Sequence, residues 1–138
     1  MKINLHEGID AVKFGMSLSD VETILGKADV VDKDNEGDLE IVFAEYEEKG
    51  LSLCFEKNKN EEQALLADIT PYGEETTLFG AKIYDLNKEE IIRLCEQNNL
   101  EHGETDSNFN EEEMLLFEDG GIAFFFENNE LVSVSFSK

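Results

Sequence analysis

The chain has 138 residues, of which 33 are acidic and 11 are basic, and its formal net charge at pH 7 is -22. Hydrophobic residues make up 41% of the sequence, which is enough apolar material for a packed core and excludes disorder of the whole chain. The negative electrostatic field of such a chain repels nucleic acid and anionic membranes and attracts cationic partners. Acidic residues can also serve only to keep a protein soluble.

The N-terminal residues predict little regular structure and no targeting segment. Residues 1–5 alternate apolar and polar positions, as in a short edge strand or an extended lead-in. The same region has no apolar core segment and no cleavage signature of a signal peptide. Cys54 and Cys95 have no Cys or His at metal-ligand spacing, so we expect two buried free thiols in a reducing compartment. These features predict a cytoplasmic protein.

The first predicted helix covers residues 17–25, where apolar residues recur on one face. Ser19 and Glu22 have the spacing of a capping box, and Gly26 can adopt the positive φ that often follows a helix. A helix this short is not stable alone, so we expect it to lie on a sheet.

A polar loop at residues 27–38 and three strands at 39–46, 51–55 and 64–70 are predicted next. The first two strands alternate as expected for half-buried elements. Their faces are Leu39, Ile41 and Phe43 against Glu40, Val42 and Ala44 in the first strand, and Leu51, Leu53 and Phe55 in the second.

The second half of the chain repeats this order. A helix is predicted at residues 86–98, where Asn87 and Glu90 form a capping pair. A long polar loop at 100–112 follows it. Three strands are then predicted at 114–117, 122–126 and 131–136, with Val132, Val134 and Phe136 facing inward in the last.

A repeated hairpin sequence supports the division into two units. A shift of 71 residues places LFEDGGIAFFFENN over EYEEKGLSLCFEKN, so that Gly50 meets Gly121 and Phe55 meets Phe126. We therefore predict an α+β fold of two tandem helix–loop–antiparallel three-strand units, with the helices packed on one face of the sheet. The chain would be a single domain, 1–138, made of repeats at about 9–72 and 79–138.

No pattern in the sequence predicts catalysis or a metal site. Asp32, Asp34, Glu36 and Gly37 imitate the first half of a calcium-binding loop, but Phe43 stands where the final glutamate is needed. Asp106, Asn108 and Asn110 lack the glycine of such a loop as well. The imidazoles are His6 and His102, and pairing of His102 with Cys95 would require a residue from the apolar face of a helix. We expect no enzyme activity, no cofactor and no metal.

The carboxylates that gather at the two hairpins are the candidate contacts with a partner. Because the hairpins are repeats, both acidic clusters are expected at the same rim of the sheet. Exposed tyrosines beside them would supply aromatic contacts. The predicted partner-binding residues are Glu45, Tyr46, Glu47, Glu48, Tyr72, Glu118 and Asp119.

The segment KFGMSLSDVETILGKAD, residues 13–29, resembles the opening of each unit in β-lactamase-inhibitor-protein-like folds and in small outer-membrane assembly lipoproteins. Those proteins have a Gly-Met-Ser/Thr turn, a short helix and then Leu-Gly-x-Pro. The matching residues are Gly15, Met16, Ser17, Leu25 and Gly26, while Ala28 stands where proline is usual. The resemblance implies binding through a sheet surface and its loops, as in the immunity proteins of bacterial toxin–immunity pairs.

Charge and resemblance together predict a non-enzymatic protein-binding inhibitor. We expect an immunity protein that neutralises a basic bacterial toxin, for example a nuclease, through an acidic surface. It would not bind nucleic acid or membranes, and it would be a monomer or weak dimer when free. The alternative is a small-molecule or metal-binding module that uses a cavity between sheet and helices.

Overall fold

The computed structural model describes residues 1–101, 104–107 and 112–138. Along these residues run thirteen strands and two α-helices. The strands are β1 (Lys2–Asn4), β2 (Gly8–Ile9), β3 (Val12–Lys13), β4 (Val30–Glu36), β5 (Leu39–Tyr46), β6 (Leu51–Lys57), β7 (Leu65–Pro71), β8 (Thr77–Leu78), β9 (Ala81–Lys82), β10 (Glu104–Ser107), β11 (Glu112–Phe117), β12 (Ile122–Glu127) and β13 (Glu130–Ser137). The helices are α1 (Leu18–Leu25) and α2 (Lys88–Gln97).

The strands form two sheets. The larger has eight antiparallel strands in the order β10-β11-β12-β13-β7-β6-β5-β4. The smaller has the order β3-β2-β1-β8-β9, in which β1 and β8 are parallel. The centre of the large sheet is the pairing of β7 with β13, which joins strands from the two halves of the chain.

The predicted fold class, α+β with two helix–loop–three-strand units and helices on one face of the sheet, is wrong. The described chain is mostly β, with two short helices against thirteen strands. The predicted polar loops contain β4 and β10, and the N-terminal residues with residues 77–82 build a second sheet. Every residue of β4 is exposed because it is an edge strand, so it lacks the alternation that marks a half-buried strand.

The two helices start at capping boxes, one of which was predicted correctly. In α1 the N-cap is Ser17, whose hydroxyl accepts from the Asp20 backbone N–H at 3.2 Å, so the predicted pair of Ser19 with Glu22 is wrong. In α2 the predicted pair of Asn87 with Glu90 is confirmed. Each cap satisfies backbone donors that the first helical turn leaves unpaired.

The core lies between one face of the large sheet and a layer made of the helices and the small sheet. Helix residues Val21 and Ile91 and small-sheet residues Ile9 and Leu78 are fully buried in the same cluster. The large sheet supplies most of the remaining core, including Leu51, Leu53, Phe55, Phe117, Phe124, Phe126, Val134 and Phe136. The predicted face of β6 is therefore confirmed.

The alternation in β5 separates two faces, and the face that packs against the core is the set with Val42 and Ala44. Val42, Ala44 and Tyr46 face the core, while Phe43 is on the other face and 41% exposed. Residues 41–44 are all apolar, so alternation alone did not determine which set is buried.

A β-bulge explains the wrong prediction in β13. Leu131 pairs with Phe126 and Ser133 pairs with Phe125, which leaves Val132 as the extra residue of the bulge. Val132 is 45% exposed, and Leu131 is buried in its place. The inward placement of Val134 and Phe136 is confirmed.

Equivalent features recur in the two halves, which we define as α1 with β4–β7 and α2 with β10–β13. Each helix is followed by four antiparallel strands, and each N-cap residue forms a β-bridge with the first residue of the fourth strand. At the centre, the hydroxyls of Thr70 on β7 and Ser135 on β13 are 3.4 Å apart. The repeat boundaries at about 9–72 and 79–138 stay a prediction.

Candidate binding surfaces

The large sheet has a second face, turned away from the core, which we call the open face. Residues directly opposite each other on paired strands share a face, so Phe43, Cys54 and Asp68 form one row across it. Among the described side chains on this face Ile41 is buried, and the others are half-exposed or exposed. The open face is therefore accessible to a partner.

The open face of β4–β7 differs in charge from the open face of β11–β13. The first half carries carboxylates on four neighbouring strands, and we call this set the acidic half: Asp32, Asp34, Glu36, Glu45, Glu56 and Asp68. On β11–β13 the described side chains of this face are mostly apolar or hydroxyl-bearing: Met114, Leu116, Ala123, Phe125, Ser133 and Ser135, with Glu127 at the end of β12. No described residue of the open face is Lys or Arg.

Two of the predicted contact residues meet on the open face. Glu45 accepts hydrogen bonds from the hydroxyl of Ser52 and, at 3.2 Å, from the hydroxyl of Tyr72. Tyr72 is 42% exposed, and burial of its hydroxyl, followed by the hydrogen bond and charge of Glu45, raises its pKa. The pair is held in a fixed orientation at the edge of the acidic half.

Tyr46, another predicted contact, belongs to the core. It is 3% exposed, and its hydroxyl donates to the carbonyl oxygen of Gly26 at 2.8 Å. Burial, and then the charges of Glu22 and Asp29, raise its pKa. Tyr46 is therefore not offered to a partner by this fold, because it lies on the buried face of β5.

The remaining predicted contacts lie in the two hairpin turns. Glu47 and Glu48 are exposed in the first turn, where the backbone N–H of Glu47 donates to Asp29 at 2.8 Å. Glu118 and Asp119 are exposed in the second turn. The Asp119 carboxylate accepts from the backbone N–H of Glu101 at 3.0 Å, so part of its role is to hold the turn.

The expectation that both hairpin clusters share one rim is wrong. Five antiparallel pairings separate β5 from β11 in the sheet, so the two strands run in opposite directions. The turn after β5 and the turn after β11 therefore project from opposite ends of the sheet. Glu47 and Glu48 lie at one end of the sheet, and Glu118 and Asp119 lie at the other end.

A group of three potential metal ligands lies on the acidic half. The sulfur of Cys54 and one carboxylate oxygen each from Glu56 and Asp68 all lie within 4.8 Å of one another. Burial, followed by the charges of Asp68, Glu56 and Glu36, raises the pKa of the Cys54 thiol to about 11. Cys54 is half-buried, not buried as predicted, and it is protonated at neutral pH, which opposes metal binding.

The structure gives no catalytic role to Cys95. It is fully buried in the core, as predicted, and burial followed by the charge of Asp119 raises its pKa to about 12. His102, which such chemistry would require, lies outside the described residues, as do the loop residues Asn108 and Asn110. His6 is exposed, with Nε2 2.7 Å from the carbonyl oxygen of Asp119.

On the core side of the large sheet, a cleft lies beside the start of each helix. The first cleft has a volume of about 300 Å³ and is lined by Leu18 on α1, Val42 on β5 and Phe55 on β6, among others. The second has a volume of about 210 Å³, and its lining includes Lys88, Glu113 and Phe126. The alternative function assumed a cavity between sheet and helices, but sequence patterns did not identify the lining residues of either cleft. Each cleft brings together residues from a helix and from separate strands.

Comparison with known proteins supports a similarity of fold and gives no information on function. No protein-family model and no curated protein matches the chain. Among solved structures, the chain is similar to an extracellular protein containing an SCP domain from Bacillus anthracis str. Ames, with 15% identity and a TM-score of 0.53. The similarity covers 90% of this chain and 43% of that protein, so the chain spans less than half of its neighbour's length. Within the described residues, no helix is long and apolar enough to cross a membrane.

Proposed function

We propose that the protein is a non-enzymatic inhibitor that binds a basic protein through the acidic half of its open face. The observation that carries the proposal is this set of carboxylates on four neighbouring strands, with no described Lys or Arg on the same face. The proposal keeps Glu45 and Tyr72 from the predicted contacts. The proposed binding site is centred on the open face of the sheet, whereas the predicted contacts were centred on the hairpin turns.

Electrostatics supports a cationic partner for this face. Burial raises the pKa of Asp68, so its ionised form is less favourable in the folded protein than in the unfolded chain. Placing Lys or Arg side chains of a partner against these carboxylates would offset that cost. Charge complementarity of this kind also raises association rates, which suits an inhibitor that must act before its target causes damage.

The biological role follows from the same proposal. A basic toxin, for example a nuclease, is a target whose cationic surface matches the acidic half, and an immunity protein would neutralise it in the cytoplasm. The alternative of a small-molecule-binding module is supported by a different feature, the first cleft, which lies on the other side of the sheet.

The test is capture of a basic partner from lysate of the source organism with two matched variants. The face variant carries Asp32→Asn, Asp34→Asn and Glu56→Gln; the rim variant carries Glu47→Gln, Glu48→Gln and Glu118→Gln. Each removes three negative charges. We expect wild type and the rim variant to retain one basic protein at low salt and to release it at about 0.5 M salt, where the Debye length is about 4 Å.

The face variant should retain none of that protein. Equal retention by both variants would show that net charge alone acts and would remove the acidic half as the site. Capture of no basic protein by wild type at low salt would contradict the proposal as a whole.

A further inference from the structure

The first cleft combines an apolar floor with two ammonium groups. Leu18, Val42 and Phe55 form the floor, and Lys33 and Lys57 are at its polar side together with Glu40 and Glu62. Its volume of about 300 Å³ is at the lower end of the range for small-molecule sites. Two of the chain's 11 basic residues therefore line this cleft, beside two carboxylates.

Among the described residues, one of the two lysines has no ion-pair partner. Lys57 Nζ lies 3.8 Å from a carboxylate oxygen of Glu40, and both side chains are about a third exposed. No carboxylate of the described residues lies within 4.0 Å of Lys33 in an ion pair. Lys33 therefore lines an apolar cleft without an ion pair to any described carboxylate.

The second cleft has an ion pair at the backbone positions that are apolar in the first cleft. Leu18 and Lys88 are the first residues of their helices, and Val42 pairs with Phe55 as Glu113 pairs with Phe126. In the second half, Lys88 and Glu113 form an ion pair across the cleft. In the first half, the equivalent positions are Leu18 and Val42, and the volume of the cleft is larger, about 300 Å³ against about 210 Å³.

We propose that the first cleft binds a small organic anion with an apolar body, such as an aromatic or short-chain carboxylate or sulfonate. The apolar body lies on Leu18, Val42 and Phe55, and the anionic group meets Lys33 and shares Lys57 with Glu40. Burial of the apolar body supplies the affinity, and the lysines select the charge. The site is independent of the acidic half and of any protein partner.

The probe for this site is 8-anilinonaphthalene-1-sulfonate, whose fluorescence rises on binding. We expect one saturable site per chain. The uncharged analogue N-phenyl-1-naphthylamine should bind about tenfold more weakly, because it lacks the group that meets the lysines. Equal affinity for the two compounds would overturn the proposed selection for anions, and the absence of saturable sulfonate binding would overturn the site.

Two double variants locate the binding. Leu18→Lys with Val42→Glu transplants the ion pair of the second half into the first cleft, and should weaken sulfonate binding by about tenfold or more. Ile24→Lys with Val132→Glu makes the same chemical changes at two positions that are 42% and 45% exposed, and should leave binding unchanged. Equal binding by both variants would overturn the site, since the probe would then be bound elsewhere.

A third variant keeps the test decisive if the transplanted pair prevents folding. Lys33→Met removes the ammonium charge of Lys33 from the exposed edge strand β4. It should weaken binding of the sulfonate by about tenfold and leave binding of the uncharged analogue unchanged. An unchanged sulfonate affinity would overturn the role of Lys33, and capture of a basic protein should be unaffected by any of these variants.

Discussion

The two halves of the protein share their backbone pairing and differ in the chemistry placed on it. Phe55 and Phe126 are both buried, at 0% and 1% exposure, and occupy equivalent positions of β6 and β12. On the open face, however, Asp68 has Ser133 as its equivalent, since they pair with Cys54 and Phe125 respectively. Core positions are constrained by packing, whereas the exposed positions of the same strands differ freely between the halves.

The largest expected effects test whether the shared core is equally important in both halves. Phe55→Ala and Phe126→Ala should each lower the free energy of unfolding by about 3–5 kcal/mol, because each leaves a cavity in one continuous core. Urea unfolding of the two variants would measure this. A loss below about 1 kcal/mol in one variant alone would show that its half is packed loosely. It would contradict the claim that the core is equally important in both halves.

The helix caps provide a smaller and sharper test. Ser17→Ala and Asn87→Ala should each cost about 1 kcal/mol of stability, because each removes the acceptor for a backbone N–H of the first turn. Ser19→Ala, at an exposed position inside α1, should cost less than about 0.5 kcal/mol. Thermal unfolding would rank the three, and a larger loss for Ser19→Ala than for Ser17→Ala would contradict the cap geometry.

The smallest effect concerns one carboxylate of the acidic half, Asp68. Burial raises the folded-state pKa of Asp68, so its carboxyl favours the folded state at low pH and loses that contribution as pH rises through the folded pKa. Asp68→Asn should therefore raise the melting temperature at pH 7 and have no effect near pH 3. The gain should stay below about 1 kcal/mol, since Asp68 is partly exposed and screened by solvent. A lower melting temperature at pH 7 would contradict the cost of this charge.

Local patterns in the sequence predicted some elements because their signals are local. Asn87 and Glu90 are three residues apart at the start of α2, and Leu51, Leu53 and Phe55 alternate with half-exposed residues. The strand β4 was missed because all of its residues are exposed, so its sequence has the composition of a loop.

The candidate site was predictable only in part, because its geometry depends on long-range pairing. Glu45 and Tyr72 were identified from composition near a turn, but the acidic half requires the register of β4–β7. The opposite placement of the two hairpin turns follows from the pairing of β7 with β13, which no local pattern contains. The first cleft likewise depends on where Leu18 of α1 meets the sheet.

The most direct test of the proposed function is the association rate of the captured basic protein with wild type, the face variant and the rim variant, measured at low and at high salt. The proposal predicts that the face variant associates about tenfold or more slowly than wild type at low salt, and that the rim variant stays close to wild type. All three rates should converge at high salt. Equal slowing of the face and rim variants would contradict binding at the acidic half.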